Sequence, residues 1–140
     1  KYGNIELAHF INKTMLRGKK TVAQRIVYQA LDLLEKETHH DAMEVFQQAM
    51  RNVSPALQVK PRRVGGATYQ VPIEVRPERR LSLAMRWIIL SVRNKSGRPM
   101  AERLADEILE ASRGQGIAVK RKDDLHRMAD ANKAFAHFAW

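Results

Sequence analysis

The segment LQVKPRRVGGATYQVPIEV, residues 57–75, decides the fold because its periodicity differs from that of the rest of the chain. Apolar and polar residues alternate on both sides of Gly65-Gly66, a pattern typical of two strands joined by a tight turn. The two prolines inside it cannot donate hydrogen bonds within a larger sheet, so they favour a two-stranded ribbon with free edges. The segment therefore predicts a β-hairpin that leaves the body as an arm over residues 57–76 and is not part of the core.

Three amphipathic helices are predicted before this segment. Apolar residues recur at helical spacing from Ile5 to Arg17, and Gly18 is suited to end that first helix. A capping-box spacing opens each of the next two helices: Thr21 with Gln24, and Asp41 with Glu44. Both then carry an apolar stripe, and Ser54-Pro55 ends the third helix.

Three more helices are predicted after the hairpin. The stretch from Leu81 to Val92 is apolar nearly all round, which indicates a central, buried helix. Pro99 is suited to open a fifth helix, and a sixth is expected from Asp123 to Phe138. The residues expected to face inward in the sixth are Leu125, Met128, Ala129, Phe135 and Ala136. The pattern predicts a mainly α fold, a bundle of about six helices with a protruding two-stranded β-hairpin between helices three and four, in one domain over residues 1–140.

The charge balance of the chain points to a polyanionic partner. Its 25 Lys and Arg residues against 15 Asp and Glu residues give a net charge of +10, so nucleic acid is the leading candidate and an anionic membrane the next. No apolar run of about 18 residues and no signal-peptide pattern occurs, which favours a cytoplasmic protein without a membrane partner. The absence of cysteine excludes disulfides, Cys-ligated zinc and thiol catalysis.

The first basic group lies around the end of the first predicted helix. It comprises Lys13, Arg17, Lys19, Lys20 and Arg25, with no acid among them. Cations in the last turn of a helix also complement its dipole, and that alternative explains Arg17 but not the run beyond it. The group is therefore predicted to bind phosphates.

The second basic group belongs to the hairpin and the residues that follow it. Its cations are Lys60, Arg62, Arg63, Arg76, Arg79 and Arg80, opposed by Glu74 and Glu78. Charges on an exposed ribbon can simply prevent edge-to-edge aggregation. An arginine pair beside Gly65-Gly66 fits RNA contact better, because glycine allows close backbone approach and the arginine fork matches phosphate.

Arginines 79, 86 and 93 recur every seven residues on the fourth predicted helix, so they lie on one stripe. The sequence leaves two interpretations open: RNA contact, or pairing with acids such as Glu102 or Glu107. Another edge is acidic, with Asp32, Glu35, Glu37, Asp41 and Glu44. That acidic edge should face solvent or a basic protein neighbour.

No catalytic constellation emerges from the sequence. His39 and His40 are adjacent and point in different directions on a helix, and no nucleophile-elbow, phosphate-loop or zinc-protease motif occurs. We therefore expect neither catalytic residues nor a metal or cofactor. The alternative function is a DNA-binding architectural or regulatory protein that uses a β-ribbon arm, and an enzyme such as a nuclease ranks third.

Several segments together resemble one family. They are KPRRVGGATYQVP (60–72), EVRPERR (74–80), RLADEIL (103–109), MADANKAFAH (128–137) and the closing Trp140. Over the whole chain, the sequence resembles the bacterial form of the seventh small-subunit ribosomal protein.

The resemblance implies a helical body with a protruding hairpin, bound to the 3′ major domain of small-subunit ribosomal RNA in the subunit head. Family members nucleate assembly of the head. Their hairpin lies near the exit-site transfer RNA and touches the eleventh small-subunit ribosomal protein, which carries over to residues around Arg62 through Tyr69. Other head proteins are further implied neighbours, and some bacterial members also repress their own operon's messenger RNA.

Overall fold

A computed structural model describes the backbone of residues 5–138 and the side chains of residues 5–135. Within that part, the chain forms α1 (Ile5–Thr14), α2 (Lys20–Thr38), α3 (Ala42–Val53), β1 (Leu57–Val64), β2 (Ala67–Glu74), α4 (Pro77–Arg93), α5 (Met100–Ser112) and α6 (Ile117–Ala131), followed by a C-terminal 3₁₀ helix (Lys133–Phe138). The predicted mainly α fold, with a β-hairpin between the third and fourth helices, is confirmed. None of the described helices is long and apolar enough to cross a membrane.

The core lies where the apolar faces of the helices meet. Helix α5 packs against α2, α3, α4 and α6, so it shares the central position that the sequence assigned to α4 alone. The ring of Phe10 in α1 meets that of Phe46 in α3 edge to face, with centroids 5.2 Å apart. Both rings are fully buried, which fixes α1 on the body although this helix has only 10 residues.

The junction between α1 and α2 differs from the prediction. Helix α1 ends at Thr14 and not at Arg17, and Thr21 lies inside α2 and does not cap it. The reason is local: Arg17 and Gly18 both have positive φ, 54° and 73°, and reverse the chain at once. The amide of Lys19 then bonds to the carbonyl of Leu16, and α2 begins at the next residue. At α3 the predicted cap by Asp41 is confirmed, because its side chain accepts from the amide of Met43. Among the described residues, no return bond joins the Asp41 amide to the Glu44 side chain, so the full capping box does not form.

The last helix also differs from the prediction. It begins at Ile117, six residues before Asp123, and ends at Ala131. Its buried residues are Ala118, Val119 and Ala129, and Leu125 is partly buried. Met128 lies beside this stripe and is 48% exposed instead of facing inward. Phe135 is partly buried on the 3₁₀ helix, and the side chain of Ala136 lies outside the described residues.

The hairpin is a two-stranded antiparallel sheet that turns at Gly65-Gly66, with Val64 opposite Ala67. Both glycines have positive φ, 59° and 87°, as a tight hairpin turn requires. The strands pack on α6 and on the 3₁₀ helix. Val71 is fully buried but lies outside the main cluster of core side chains, so the base of the hairpin is docked on the body without being part of that cluster.

Two contacts fix this base. The ring of Tyr69 lies 4.9 Å from that of Phe135, and the amide of Ala56 donates to Nε2 of His126 at 3.0 Å. Both partners come from the last quarter of the chain, so no local pattern in residues 57–75 could indicate this docking. The tip around Gly65-Gly66 stays exposed.

Candidate nucleic-acid interface

The first basic group forms what we call the turn cluster, at the junction of α1 and α2. Its members are Lys13, Arg17, Lys19, Lys20 and Arg25, and all five are exposed. No acidic residue occurs between Glu6 and Asp32, so the cluster has no opposing charge in its own segment. The structure therefore keeps together the cations that the sequence grouped, and leaves them accessible to a polyanion.

Arg93 connects the turn cluster to α4. Its guanidinium Nη2 donates to the carbonyls of Thr14 and Lys13, at 3.2 and 3.4 Å. These carbonyls belong to the last turn of α1, where no further helical amide follows to bond them. Arg93 thus supplies hydrogen bonds to the last carbonyls of α1 while its side chain stays largely exposed. It brings the turn cluster and the arginine stripe of α4 onto one face.

The arginines of α4 do not pair with the acids considered from the sequence. Arg79 and Arg86 are exposed, and no ion pair joins either of them to another described residue. Glu102 instead faces Arg98 at 3.9 Å. The stripe from Arg79 to Arg93 extends roughly 21 Å along the helix axis and is free of described acidic partners.

A groove separates α1 from the first half of α4. It has a volume of about 290 Å³ and is lined by His9, Asn12, Lys13, Glu78, Leu81, Ser82 and Met85. Most of its polar groups can donate hydrogen bonds to phosphate or ribose oxygens. The turn cluster and the α4 stripe therefore flank a polar groove, and among the described residues that line it Glu78 is the only acid.

The hairpin residues divide between an open tip and an occupied flank. Lys60, Arg63 and the two tip glycines are exposed, and a Cβ added at either glycine would have open space around it. Arg62 lies opposite Tyr69 and is half-buried. The Tyr69 ring packs on Phe135, so part of this ring is covered, and RNA contact by Tyr69 stays a prediction.

The residues between hairpin and α4 have different roles. Arg80 donates from Nε to the carbonyl of Val75 at 2.7 Å, and its Nη2 lies 3.2 Å from Oε1 of Glu74. These bonds hold the junction between β2 and α4, so Arg80 has a structural role beside the predicted RNA contact. Arg76 and Arg79 are exposed and stay candidates for phosphate contact.

A further basic group on α6 escaped the sequence analysis. Its exposed cations are Lys120, Arg121 and Arg127, with the Arg121 guanidinium 5.6 Å from the ring centroid of Trp87. Arg127 is paired with Asp124 at 3.3 Å. The signal for this group in the sequence is the run Lys120-Arg121-Lys122, which precedes the predicted helix start at Asp123 but lies inside α6.

The acidic edge lies on α2 and the start of α3, and it continues onto α5. A cleft of about 270 Å³ there is lined by Leu33, Lys36, Glu37, Arg98, Glu102, Ala105 and Asp106. His39 ends α2 in a left-handed conformation and donates its amide to the carbonyl of Glu35. In the part of the chain that the structure describes, no group of three or more His, Asp or Glu residues could hold a metal ion.

One acid is buried. Glu107 is fully inaccessible, and neither of its carboxylate oxygens has a well-aligned hydrogen-bond partner among the described residues. Burial raises its pKa above the ordinary value of 4.5, with a further rise from Glu110, while Lys95 and the amides of Ile117 and Ala118 oppose that rise. The carboxylate faces the start of α6, where a Cβ at Gly116 would come within 2.5 Å of Oε2.

The buried carboxylate gives stability a pH dependence. Because the pKa of Glu107 is raised in the folded protein, its contribution is fully present below about pH 4.5 and is lost as pH rises through the folded pKa. Glu107→Gln should therefore gain stability relative to the unchanged protein as pH increases from 5 to 7.5. Thermal unfolding at both pH values measures this. The exposed Glu37→Gln is the control, and a Glu107→Gln difference that stays constant with pH would contradict the prediction.

The fold and the surface together are typical of the class of nucleic-acid-binding proteins. The protein is small, basic and mainly helical, with a cationic face and a β-hairpin. The chain belongs to the family of ribosomal protein S7p/S5e, whose model matches residues 1–133. It is 58% identical to small ribosomal subunit protein uS7 of Thermomicrobium roseum over all 140 residues, which cover 90% of that protein. The identity is 58% over 139 residues for uS7 of Thermotoga petrophila and 56% over 140 residues for uS7 of Dehalococcoides mccartyi, again with 90% of each relative covered. The resemblance seen in the sequence is confirmed.

Proposed function

We propose that the protein is a structural component of the head of the small ribosomal subunit, where it binds the 3′ major domain of the ribosomal RNA and nucleates assembly of the head. Its place of action would be the ribosome in the bacterial cytoplasm. One observation carries the proposal: Arg93 joins the turn cluster to the α4 stripe in one cationic face. Membership of the S7p/S5e family supports it independently.

The geometry of that face suits folded RNA. Two helices that carry exposed cations flank a groove, so cations on both sides of the groove can contact phosphates of an RNA backbone that lies along it. Each arginine can bind a phosphate with two hydrogen bonds. Lys13 and Arg93 sit at the point where the two helices meet. Such a face positions RNA by its shape and backbone, and it needs no chemical step.

The hairpin is proposed to reach a second set of partners. The exposed residues Arg63 and Gly65-Gly66 lie at its tip, and exposed Lys60 lies nearer the base, opposite Val71. The base is fixed on α6 and the 3₁₀ helix. A fixed base and an open tip would direct these cations towards the exit-site transfer RNA and the eleventh small-subunit protein. The protein's own operon messenger RNA is a further proposed ligand, which the same cationic face would bind.

Chemical footprinting of small-subunit RNA with and without the protein tests the proposal. Protection confined to the 3′ major domain, together with cosedimentation with small subunits, is the expected result. Equal binding to duplex DNA by a symmetric homodimer would instead favour the architectural DNA-binding alternative. Protection scattered over the whole RNA would show that only general electrostatic binding occurs.

Replacing residues 62–68 with a short glycine linker should separate the tip from the body. We expect the free energy of unfolding to change by less than about 1 kcal/mol, because most of the removed side chains are exposed. Binding of the 3′ major domain should weaken but survive, since the turn cluster stays, while contacts near the exit-site transfer RNA should disappear. Val71→Ala at the buried base is the matched comparison, with an expected loss of about 2 kcal/mol. Cooperative unfolding of the tip variant at a much lower temperature would show that the tip is part of the core.

A further inference from the structure

A cleft of about 420 Å³ opens where α1 turns into α2. Its lining is formed by Thr14, Leu16, Arg17, Lys19, Val22, Ala23 and Ile26. The size falls within the range of about 300–1,000 Å³ that small-molecule sites occupy. We call this the turn cleft.

Apolar side chains reach solvent at the turn cleft. Leu16 is 60% exposed and Val22 is 38% exposed, while Ile26 is partly buried and packs on the core. Removing these side chains from water is favourable, and strongly hydrated phosphate groups offer no apolar surface that would cover them. The cleft is therefore suited to a partner with an apolar face.

The surroundings of the turn cleft are cationic. The five exposed cations of the turn cluster surround it, and the segment from Leu7 to Leu31 contains no acid. Lys19 immediately precedes α2, and a lysine side chain cannot accept a hydrogen bond from the amides of the first turn. The amide of Lys20 bonds to the carbonyl of Gly18, so the amides of Thr21 and Val22 are the donors available in the first turn of α2, beside the apolar lining.

We propose that the turn cleft receives one unstacked nucleobase of the bound RNA. The inference rests on the proposed function and names a contact within it. A nucleotide supplies both required parts: the base offers flat apolar faces to Leu16 and Val22, and the adjoining phosphates meet Lys19 and Arg17. Single-stranded or bulged bases are the parts of RNA that proteins bind in this way. A neighbouring protein could supply an apolar side chain, but its backbone carries no charge to match the cationic rim.

Paired variants separate the apolar contact from the ionic one. Leu16→Ser with Val22→Ser should weaken binding to a transcript of the 3′ major domain about 5- to 20-fold without changing the salt dependence. Ile5→Ser, which replaces a 76% exposed apolar residue of α1, is the matched control and should leave affinity unchanged. Lys19→Gln should change the salt dependence instead. Circular dichroism confirms that each variant is folded.

Crosslinking identifies the base. A benzophenone amino acid at position 22 should crosslink to one nucleotide that is unpaired in the transcript, and removing the base of that nucleotide should weaken binding as much as the double serine variant does. Unchanged affinity of the serine variant, or crosslinks spread over paired nucleotides, would overturn the inference. A crosslink to a protein in whole subunits would also overturn it. Failure of the unchanged protein to bind the transcript would instead refute the proposed function.

Discussion

Binding of the protein to the 3′ major domain RNA should weaken about 10³- to 10⁵-fold when salt rises from about 50 to 200 mM, if about 6 to 10 phosphates are contacted. Each contacted phosphate releases counterions, and their return at higher salt opposes binding. The exposed cations of the turn cluster, the α4 stripe and the hairpin tip supply enough charges for that number. Affinity measured at four or five salt concentrations gives the slope directly.

The double variant Lys19→Gln, Lys20→Gln should reduce that slope by about 1.4 to 1.8, which is the expected contribution of two phosphate contacts. Lys20→Gln and Lys36→Gln form a matched pair, because both remove an exposed lysine from α2, one in its first turn and one in its last. Lys36 lies beside Asp32 and Glu35 on the acidic edge, so its loss should leave the slope unchanged. An unchanged slope for the double variant would mean that the turn faces solvent and that its cations only complement the α1 dipole.

Phe10→Ala should lower the free energy of unfolding by about 3–5 kcal/mol. The ring is fully buried and meets Phe46 edge to face, so truncation removes an aromatic contact and leaves a cavity between α1 and α3. Against a typical total stability of about 5–15 kcal/mol, such a loss is severe. Denaturant unfolding, followed by the circular dichroism of the helices, measures this loss of free energy.

Phe10→Ala should also weaken RNA binding. Helix α1 carries Lys13 and supplies the carbonyls that hold Arg93, so its displacement would separate the turn cluster from the α4 stripe. Ile5→Ala in the same helix is the control and should change stability by less than about 0.5 kcal/mol, because Ile5 is 76% exposed. A small effect of Phe10→Ala on stability would show that α1 is only loosely attached to the body.

Both the buried core positions and the exposed cations could be predicted from the sequence, but for different reasons. Positions such as Ile88, Leu104 and Ile108 were recognisable from helical periodicity, and all three are buried. The cations of the turn cluster were recognisable as a group because they are close in sequence, and they are exposed as expected. What the cations bind stays part of the proposal.

The sequence by itself determined the features that depend on near neighbours. It placed the hairpin turn at Gly65-Gly66, because two consecutive residues with positive φ favour glycine there. It also placed the start of α3 at Asp41, because the capping bond spans only two residues. The family itself was evident from motifs that run from the hairpin to the last helix.

Only the tertiary structure decided the contacts between distant segments. It docks the hairpin base through Val71 and Tyr69 on elements that follow more than 45 residues later, and it sends Arg93 across to the end of α1 instead of to an acid. It also buries Glu107 against the start of α6. These outcomes depend on which surfaces meet when the other four α-helices pack around α4 and α5. The order of residues along one element does not specify which distant element it will contact.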